Sequence, residues 1–333
     1  MAVNAAALET YDSITIREDL SDAENMISPT ETPFVSLIVG KNKATATKHE
    51  WPVTELGAVD EDNAVAEGED APAVDAAVLA LRRWNFTQIM DKVVKVTDTS
   101  QRVDGAAGIE KLAKQISYKL KELKRDKEAI FTSGQPGDPG AAVGATVRKS
   151  AGFAAFLITN TIRGTTTGAD PTLSDDPNGY PDAGPTAGDL AAVTEDNFNA
   201  VMQSCWTEGG EPKYALCSPV NKRLISKSFN GYATKYKQAD DKKLVNSIDI
   251  YESDFGQVQI VPDRFLGSAD DGPGVGNSIF FIDPDHVKIS ELQPTRQLEL
   301  ARTGHTQNRL IQCESCLEVG NEKAHGVIAD TTG

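Results

Sequence analysis

The sequence is poor in the residues that most often carry catalysis and metal binding. It has four cysteines and four histidines among 333 residues, and no two histidines lie within four residues of each other. Phosphate-loop, nucleophile-elbow and zinc-protease motifs are missing. We therefore predict no catalytic, cofactor-binding or metal-binding residues, and keep an enzyme with an unrecognised site as a minor alternative.

Long apolar segments and a signal peptide are missing as well. No uninterrupted apolar run approaches the roughly 18 residues that a membrane helix needs, so no membrane partner is expected. The first twenty residues lack the basic start and apolar stretch of a signal peptide. These features predict a protein made in the cytoplasm.

Positive charge is scarce. Lys and Arg total 33 against 49 Asp and Glu, which gives a formal net charge of −16. So acidic a surface repels phosphate, which argues against a sequence-specific DNA-binding protein. It is compatible with a wall that encloses DNA without binding it, and equally with an abundant protein kept soluble by its charge.

The one closely spaced cysteine pair is Cys313-x-x-Cys316. Ile311, Cys313 and Leu317 share one parity in a partly alternating segment, which predicts a strand. Residues three apart on a strand point to opposite faces. The pair is therefore not expected to chelate a metal or to form a disulfide.

Residues 1 to about 40 have the composition of an extended arm, with little periodicity and with Pro29 and Pro33 as breakers. The arm nevertheless carries Phe34 and Val35, which need a surface to bury against. That surface is either a neighbouring subunit or the core of the chain itself.

Two strand-like segments, 44–54 and 84–97, flank a long acidic connection. The second segment changes parity, which predicts a bulge near Gln88. No basic residue occurs between Lys48 and Arg82, where nine acidic residues fall. A connection of this length is usually functional or disordered, and we interpret it as a projecting hairpin.

A helix is predicted over 106–131, where apolar residues recur every three and four positions. Asp104 is placed to cap its start and Gly134 lies just beyond its end. A helix with one apolar stripe usually lies on a sheet. Five basic residues cluster on it, which indicates a solvated face, an inter-subunit ion-pair surface or, third, a phosphate contact; they are Lys119, Lys121, Lys124, Arg125 and Lys127.

The rest of the chain predicts an α+β fold. Residues 134–192 contain ten Gly and six Pro, which indicates irregular, loop-rich structure with one short strand. Thr194 is predicted to cap one helix, and Ser218-Pro219 to open another that follows a short strand at 213–218. Strands are predicted on both sides of Asp254-Phe255-Gly256 and of Asp283-Pro284-Asp285.

Several segments carry a family resemblance. They include SPTETPFVSLIVGKNKATATKHEWPVTEL, QIMDKVVKVTDTSQRV, ELKRDKEAIFTSGQ, VNSIDIYESDFGQVQIVPDRFL and IDPDHVKISELQPTRQLELARTGHTQNRLI. In this order they resemble the major capsid proteins of a tailed-phage family typified by coliphage SU10 and the Bordetella phage group. The Gly/Pro-rich part, 134–192, is outside the resemblance.

The resemblance implies the HK97-like capsid fold. Its parts would be an N-terminal arm (1–43), an extended loop with flanking strands (44–98), a peripheral domain (99–134 and 276–333) with a spine helix (106–131), and an axial domain (135–275) that includes the insertion 134–192.

The resemblance also implies a function. The chain would be a non-enzymatic subunit that forms pentamers and hexamers of a phage head around packaged double-stranded DNA, with a portal protein and a scaffold or cement protein as partners. The alternatives are a nanocompartment shell of the same fold, and more remotely a tail or decoration protein. From residue type we expect Phe34 and Trp51 as inter-subunit contacts, and Arg125 with Asp126 as an ion-pair surface.

Overall fold

The computed structural model describes residues 27–38, 40–65, 67–68, 77–103, 108–141, 146–164, 168–175, 177–229, 248–266 and 277–332. Its strands are β1 (Gly40–Lys43), β2 (Lys48–Val53), β3 (Leu81–Phe86), β4 (Gln88–Thr97), β5 (Thr161–Ile162), β6 (Thr172–Asp175), β7 (Asn178–Ala183), β8 (Tyr214–Cys217), β9 (Ile250–Ser253), β10 (Gly256–Pro262), β11 (Ile279–Ile282), β12 (Val287–Glu299), β13 (Thr306–Val319) and β14 (Gly326–Ile328). Its α-helices are α1 (Asp98–Arg102), α2 (Leu112–Thr132), α3 (Phe153–Phe156), α4 (Glu195–Thr207) and α5 (Pro219–Ser228). A π-helical turn spans Phe34–Ile38, and 3₁₀ turns span Pro284–His286 and Glu322–Ala324. None of these helices is long and apolar enough to cross a bilayer.

The long helix α2 packs on a four-stranded sheet of order β1-β12-β13-β4. It buries Leu123 and Phe131 in the main core. The predicted start at residue 106 is wrong, because the helix begins at Leu112 and Lys111 precedes it without a side-chain cap. Gly108, at φ +60, lies in a turn just before it. The predicted cap Asp104 lies outside the described residues.

The predicted hairpin is confirmed. Strands β2 and β3 pair antiparallel, and no helix or strand occurs in the described residues between them. The predicted strand 84–97 with a bulge near Gln88 is instead two strands, because β3 ends at Phe86 and β4 begins at Gln88 in another sheet. The backbone N–H of Thr87 donates to the carbonyl of Thr47, so the polypeptide changes sheets without losing that hydrogen bond.

A six-stranded sheet has the order β5-β14-β11-β8-β10-β9. Helices α4 and α5 bury one face each in a second core against it, through Phe198 and Val201 of α4 and Ile225 of α5. Both predicted caps are confirmed: the hydroxyl of Thr194 accepts from the backbone of Asn197, and that of Ser218 from Asn221. Cys313 and Cys316 lie on β13, and both thiols are buried.

The sheets divide the chain differently from the predicted segments. Of the predicted peripheral part 276–333, β12 and β13 belong to the sheet on which α2 packs, but β11 and β14 join the six-stranded sheet. The strands β11 and β12 therefore do not pair, although 283–285 separates them as predicted. Partner choice depends on contacts distant in sequence, which a local pattern does not contain.

The Gly/Pro-rich segment is more ordered than predicted. Its described residues hold three short strands and the short helix α3, whose residues Phe153–Phe156 are all buried. Strands β6 and β7 extend the hairpin into a third sheet of order β2-β3-β7-β6. Part of the predicted axial insertion thus pairs with β3 of the hairpin β2–β3. We call β2, β3 and the connection between them the loop hairpin.

Candidate functional site

The arm and the loop hairpin are the candidate functional elements. Each is attached to the rest of the chain by the side chain of a buried glutamate. The described residues contain no group of three His, Cys, Asp or Glu side chains arranged to hold a metal ion.

The arm is fixed at Phe34. Its ring is fully buried and lies 5.5 Å from that of Phe153, measured between centroids. The backbone N–H groups of Phe34 and Val35 donate to the two carboxyl oxygens of Glu128 on α2, at 2.7 and 2.8 Å. A single side chain on α2 thus accepts both hydrogen bonds at the point where the arm packs against the core.

Glu128 is fully buried. Burial raises the pKa of its carboxyl to about 8, since the two backbone donors and the charge of Lys124 offset only part of that effect, and Asp263 adds to it.

The loop hairpin is fixed at its base by Glu318 on β13. One carboxyl oxygen of Glu318 lies 2.9 Å from Nε2 of His49 on β2, and accepts from the hydroxyl of Ser290 at 2.7 Å and from the amide of Asn42 at 3.1 Å. We call these four residues the Glu318 cluster. It joins β2 of the loop hairpin to the strands β1, β12 and β13 of the sheet on which α2 packs.

The Glu318 cluster contains a Ser, a His and a Glu, but not in a catalytic arrangement. A hydrolase triad needs the carboxylate on one imidazole nitrogen and the hydroxyl on the other. Here Ser290 and Glu318 both contact Nε2 of His49, and Ser290 is fully buried. The cluster is therefore a structural hydrogen-bond network.

Replacing Glu318 by Gln is expected to lower the free energy of unfolding at pH 7 by about 1–3 kcal/mol, because charge-assisted hydrogen bonds are lost from a buried site. Burial alone would raise the pKa of Glu318, but hydrogen bonds from His49, Ser290 and Asn42 lower it to about 2. The stability it contributes is thus present above the ordinary value of 4.5 and is lost as pH falls towards 2.

Urea denaturation at pH 7 and at pH 3 tests this expectation. The difference in the free energy of unfolding between the wild type and Glu318→Gln should be smaller at pH 3 than at pH 7. Glu252→Gln, at an exposed position of β9, is the matched control and should stay within about 0.5 kcal/mol of the wild type. A gap that is equal at both pH values would contradict the assigned role of the carboxylate.

The inserted hairpin β6–β7 supports the loop hairpin from the side. The ring of Tyr180 packs edge-on against Phe86 at 4.9 Å and lies 6.1 Å from Trp84. The backbone N–H of Arg82 donates to the side chain of Asn178 at 2.8 Å. The Gly/Pro-rich segment therefore helps to hold β3 where the loop leaves the body.

The structure corrects two of the predicted contact residues. Phe34 and Trp51 are 0% and 6% exposed, and Trp51 packs against Phe156 with ring centroids 6.1 Å apart. Both side chains fill the core of the chain itself and have almost no surface to offer a neighbour. Their large apolar area predicts that both side chains are buried. It does not predict whether the chain itself or a neighbouring copy buries them.

Arg125 and Asp126 are both partly exposed on α2. Asp126 forms an ion pair with Lys92 of β4 at 2.6 Å, and the guanidinium of Arg125 lies over the ring of Phe265 at 5.6 Å. Both have partners within the chain, and their role between subunits stays a prediction.

Two exposed apolar features were missed by the sequence reasoning. In the loop, Leu56 and Val59 are each 90% exposed. At the end of α4, Trp206 is 56% exposed, beside Phe255. The second had a sequence signal, because Trp206 falls off the buried face that the spacing of Phe198 and Val201 defines.

The chain is similar over nearly its whole length to phage major capsid proteins. The family model described as SU10 major capsid protein matches residues 4–332. The major capsid protein of Escherichia phage Phieco32 is 24% identical, with 99% of this chain and 98% of that protein covered.

Solved shell structures share the fold at low identity. The capsid of cyanophage A-1(L) aligns with a TM-score of 0.62 and 13% identity over 98% of this chain and 99% of that chain. The SrpI encapsulin of Synechococcus elongatus aligns with a TM-score of 0.56 and 10% identity over 98% and 96%. The architecture is thus the α+β HK97-like capsid fold. Because the family model spans almost the entire sequence, the chain belongs to the SU10 major capsid protein family.

Proposed function

We propose that the chain is the structural subunit of a phage head, and that its copies assemble as pentamers and hexamers into a closed shell around packaged double-stranded DNA. The observation that carries the proposal is the family match over residues 4–332. The subunit is made in the bacterial cytoplasm and ends in the virion. Its partners are other copies, a portal protein and a scaffold or cement protein, and it catalyses no reaction.

The exposed loop supports assembly with neighbouring copies. Leu56 and Val59 lie in a connection rich in Asp and Glu, and nearly all of their surface faces solvent. Exposed apolar side chains on a projecting segment contribute nothing to the stability of the isolated chain. In a shell, the loop overlaps an adjacent copy that buries them.

A surface suited to receive an acidic, apolar segment lies beside α2. A groove of about 520 Å³ runs between the arm, α2 and β12. Leu120 contributes an apolar wall, and Lys41 and Lys124 are exposed there and form no ion pair among the described residues. We assign this groove, with Arg125 and Asp126 nearby on α2, to contacts between copies.

The double variant Leu56→Asp/Val59→Asp is expected to lower assembly while leaving the subunit folded. Because both side chains are almost fully exposed, the free energy of unfolding should change by less than about 0.5 kcal/mol. Negative-stain microscopy and sedimentation of the purified protein should show closed shells or rings for the wild type and mainly smaller species for the variant.

Val147→Asp, at a 74% exposed position outside the loop, is the matched control and should assemble normally. Equal assembly of the double variant and the wild type would contradict the role of the loop. A wild type that stays a compact monomer in every salt and pH condition would contradict the shell function and favour an enzyme.

A nanocompartment shell is the second candidate, since the SrpI encapsulin shares the fold. It would enclose a protein rather than DNA. Neighbouring genes decide between the two: portal and terminase genes support a phage head, and a cargo enzyme gene supports a nanocompartment.

A further inference from the structure

An exposed aromatic pair lies at one end of the six-stranded sheet. Trp206 is near the end of α4 and Phe255 is in the turn between β9 and β10, and their ring centroids are 5.8 Å apart. Trp206 is 56% exposed, and Phe255 is partly exposed. We call Trp206 and Phe255 the aromatic patch.

Acidic residues adjoin the aromatic patch. Glu208 follows Trp206 by two positions and forms an ion pair with Lys323 at 3.4 Å. Asp254 directly precedes Phe255, and both carboxylates are exposed. An aromatic face beside carboxylates attracts a cation, and the planar guanidinium of arginine is the side chain that best stacks on such a face. The chemistry of the patch therefore favours a partner that presents arginine.

The same chain presents such a surface on α5. Val220, Arg223 and Lys227 are all exposed, and their spacing of three and four places them on one face of the helix. Neither Arg223 nor Lys227 makes an ion pair or a cation–π contact within the part of the chain that the structure describes. We call these three residues the basic patch.

We propose that the aromatic patch of one copy binds the basic patch of the next copy, with Arg223 stacked on Trp206. This inference rests on the proposed shell function and names one surface by which copies meet. Two different patches in contact form a heterologous interface, which repeats head to tail and closes into a ring when the angle allows. Tryptophan and arginine are also the residues that most often dominate binding at interfaces.

Separate substitutions test the contact. Trp206→Ala and Arg223→Ala should each lower the fraction of protein in rings and shells by about tenfold or more, because each removes a residue of the hot-spot type. The double variant should assemble about as poorly as either single variant, since one contact is lost in all three. Gln203→Ala, also exposed on α4, should assemble like the wild type.

Fluorescence quenching provides a readout that does not depend on a truncated variant. The chain has three tryptophans, so the contribution of Trp206 is the difference between the wild type and Trp206→Phe. On assembly, acrylamide quenching of Trp206 should fall several-fold because a neighbouring copy covers its exposed surface. This comparison decides the matter if Trp206→Ala does not fold.

The outcomes distinguish the proposed contact between the two patches from the proposed shell function. Loss of assembly in both single variants, with protection of Trp206 in wild-type shells, supports the contact. Normal assembly of the variants, or Trp206 as accessible in shells as in the free subunit, overturns it while the shell function stands. A wild type that forms no rings or shells overturns the shell function itself.

Discussion

Phe34→Ala is expected to lower the free energy of unfolding by about 3–5 kcal/mol, the usual cost of truncating a buried phenylalanine. The ring has no exposed surface. It contacts Phe153, which in turn packs edge-on against Phe280 at 5.6 Å and His325 at 5.2 Å. These partners lie on separate elements of the core. They therefore cannot all move to fill the cavity that removal of the Phe34 ring would leave.

Chemical denaturation of the free subunit measures this effect. Phe34→Leu, which keeps most of the apolar volume, should cost clearly less than Phe34→Ala. Val59→Ala, at a 90% exposed position, should stay within about 0.5 kcal/mol of the wild type. A loss below about 1 kcal/mol for Phe34→Ala would show that the arm is not part of the subunit core, and would restore the alternative in which a neighbour buries it.

Phe34 also shows where prediction from the sequence ends. Its residue type predicts burial, and burial is confirmed. Whether the chain or a neighbour supplies the surface depends on Phe153, more than a hundred residues away. The sequence allows both choices, and the structure buries the side chains of Phe34 and Trp51 within the chain itself, against their prediction as inter-subunit contacts.

Capping signals predicted the starts of α4 and α5, whereas the predicted start of α2 was wrong and strand partners were predicted poorly. Thr194 and Ser218 were identified correctly because a cap involves only the next three residues. The partners of β11 and β14 come from distant parts of the chain. The hairpin β6–β7 was missed because its stability comes from Tyr180 against Phe86 and Trp84, and not from its own sequence pattern.

The second large effect is expected at Glu128. Glu128→Ala should lower the free energy of unfolding by about 2–4 kcal/mol, since the buried N–H groups of Phe34 and Val35 then lose their acceptor. Glu128→Gln should cost less, because its amide oxygen still accepts one of the two bonds. Glu122→Ala, which removes a partly exposed ion pair with Lys119 on the same helix, is the control and should cost less than about 0.5 kcal/mol.

The pH dependence distinguishes loss of the carboxyl group from simple loss of packing. Because burial raises the pKa of Glu128 from 4.5 to about 8, the folded chain holds this proton more tightly than the unfolded chain. The associated stability is fully present below about pH 4.5 and is lost as pH rises through 8. Glu128→Gln does not titrate, so its stability relative to the wild type should improve between pH 5 and pH 8.5.

Hydrogen exchange locates the effect in the arm. In Glu128→Ala, the amides of Phe34 and Val35 should exchange faster, whereas the amides of the six-stranded sheet should keep their protection. The double variant Phe34→Ala/Glu128→Ala should cost less than the sum of the two single variants, because both remove the same attachment of the arm. Strictly additive costs, or unchanged exchange at Phe34 and Val35, would contradict the assignment of Glu128 as the residue that holds the arm.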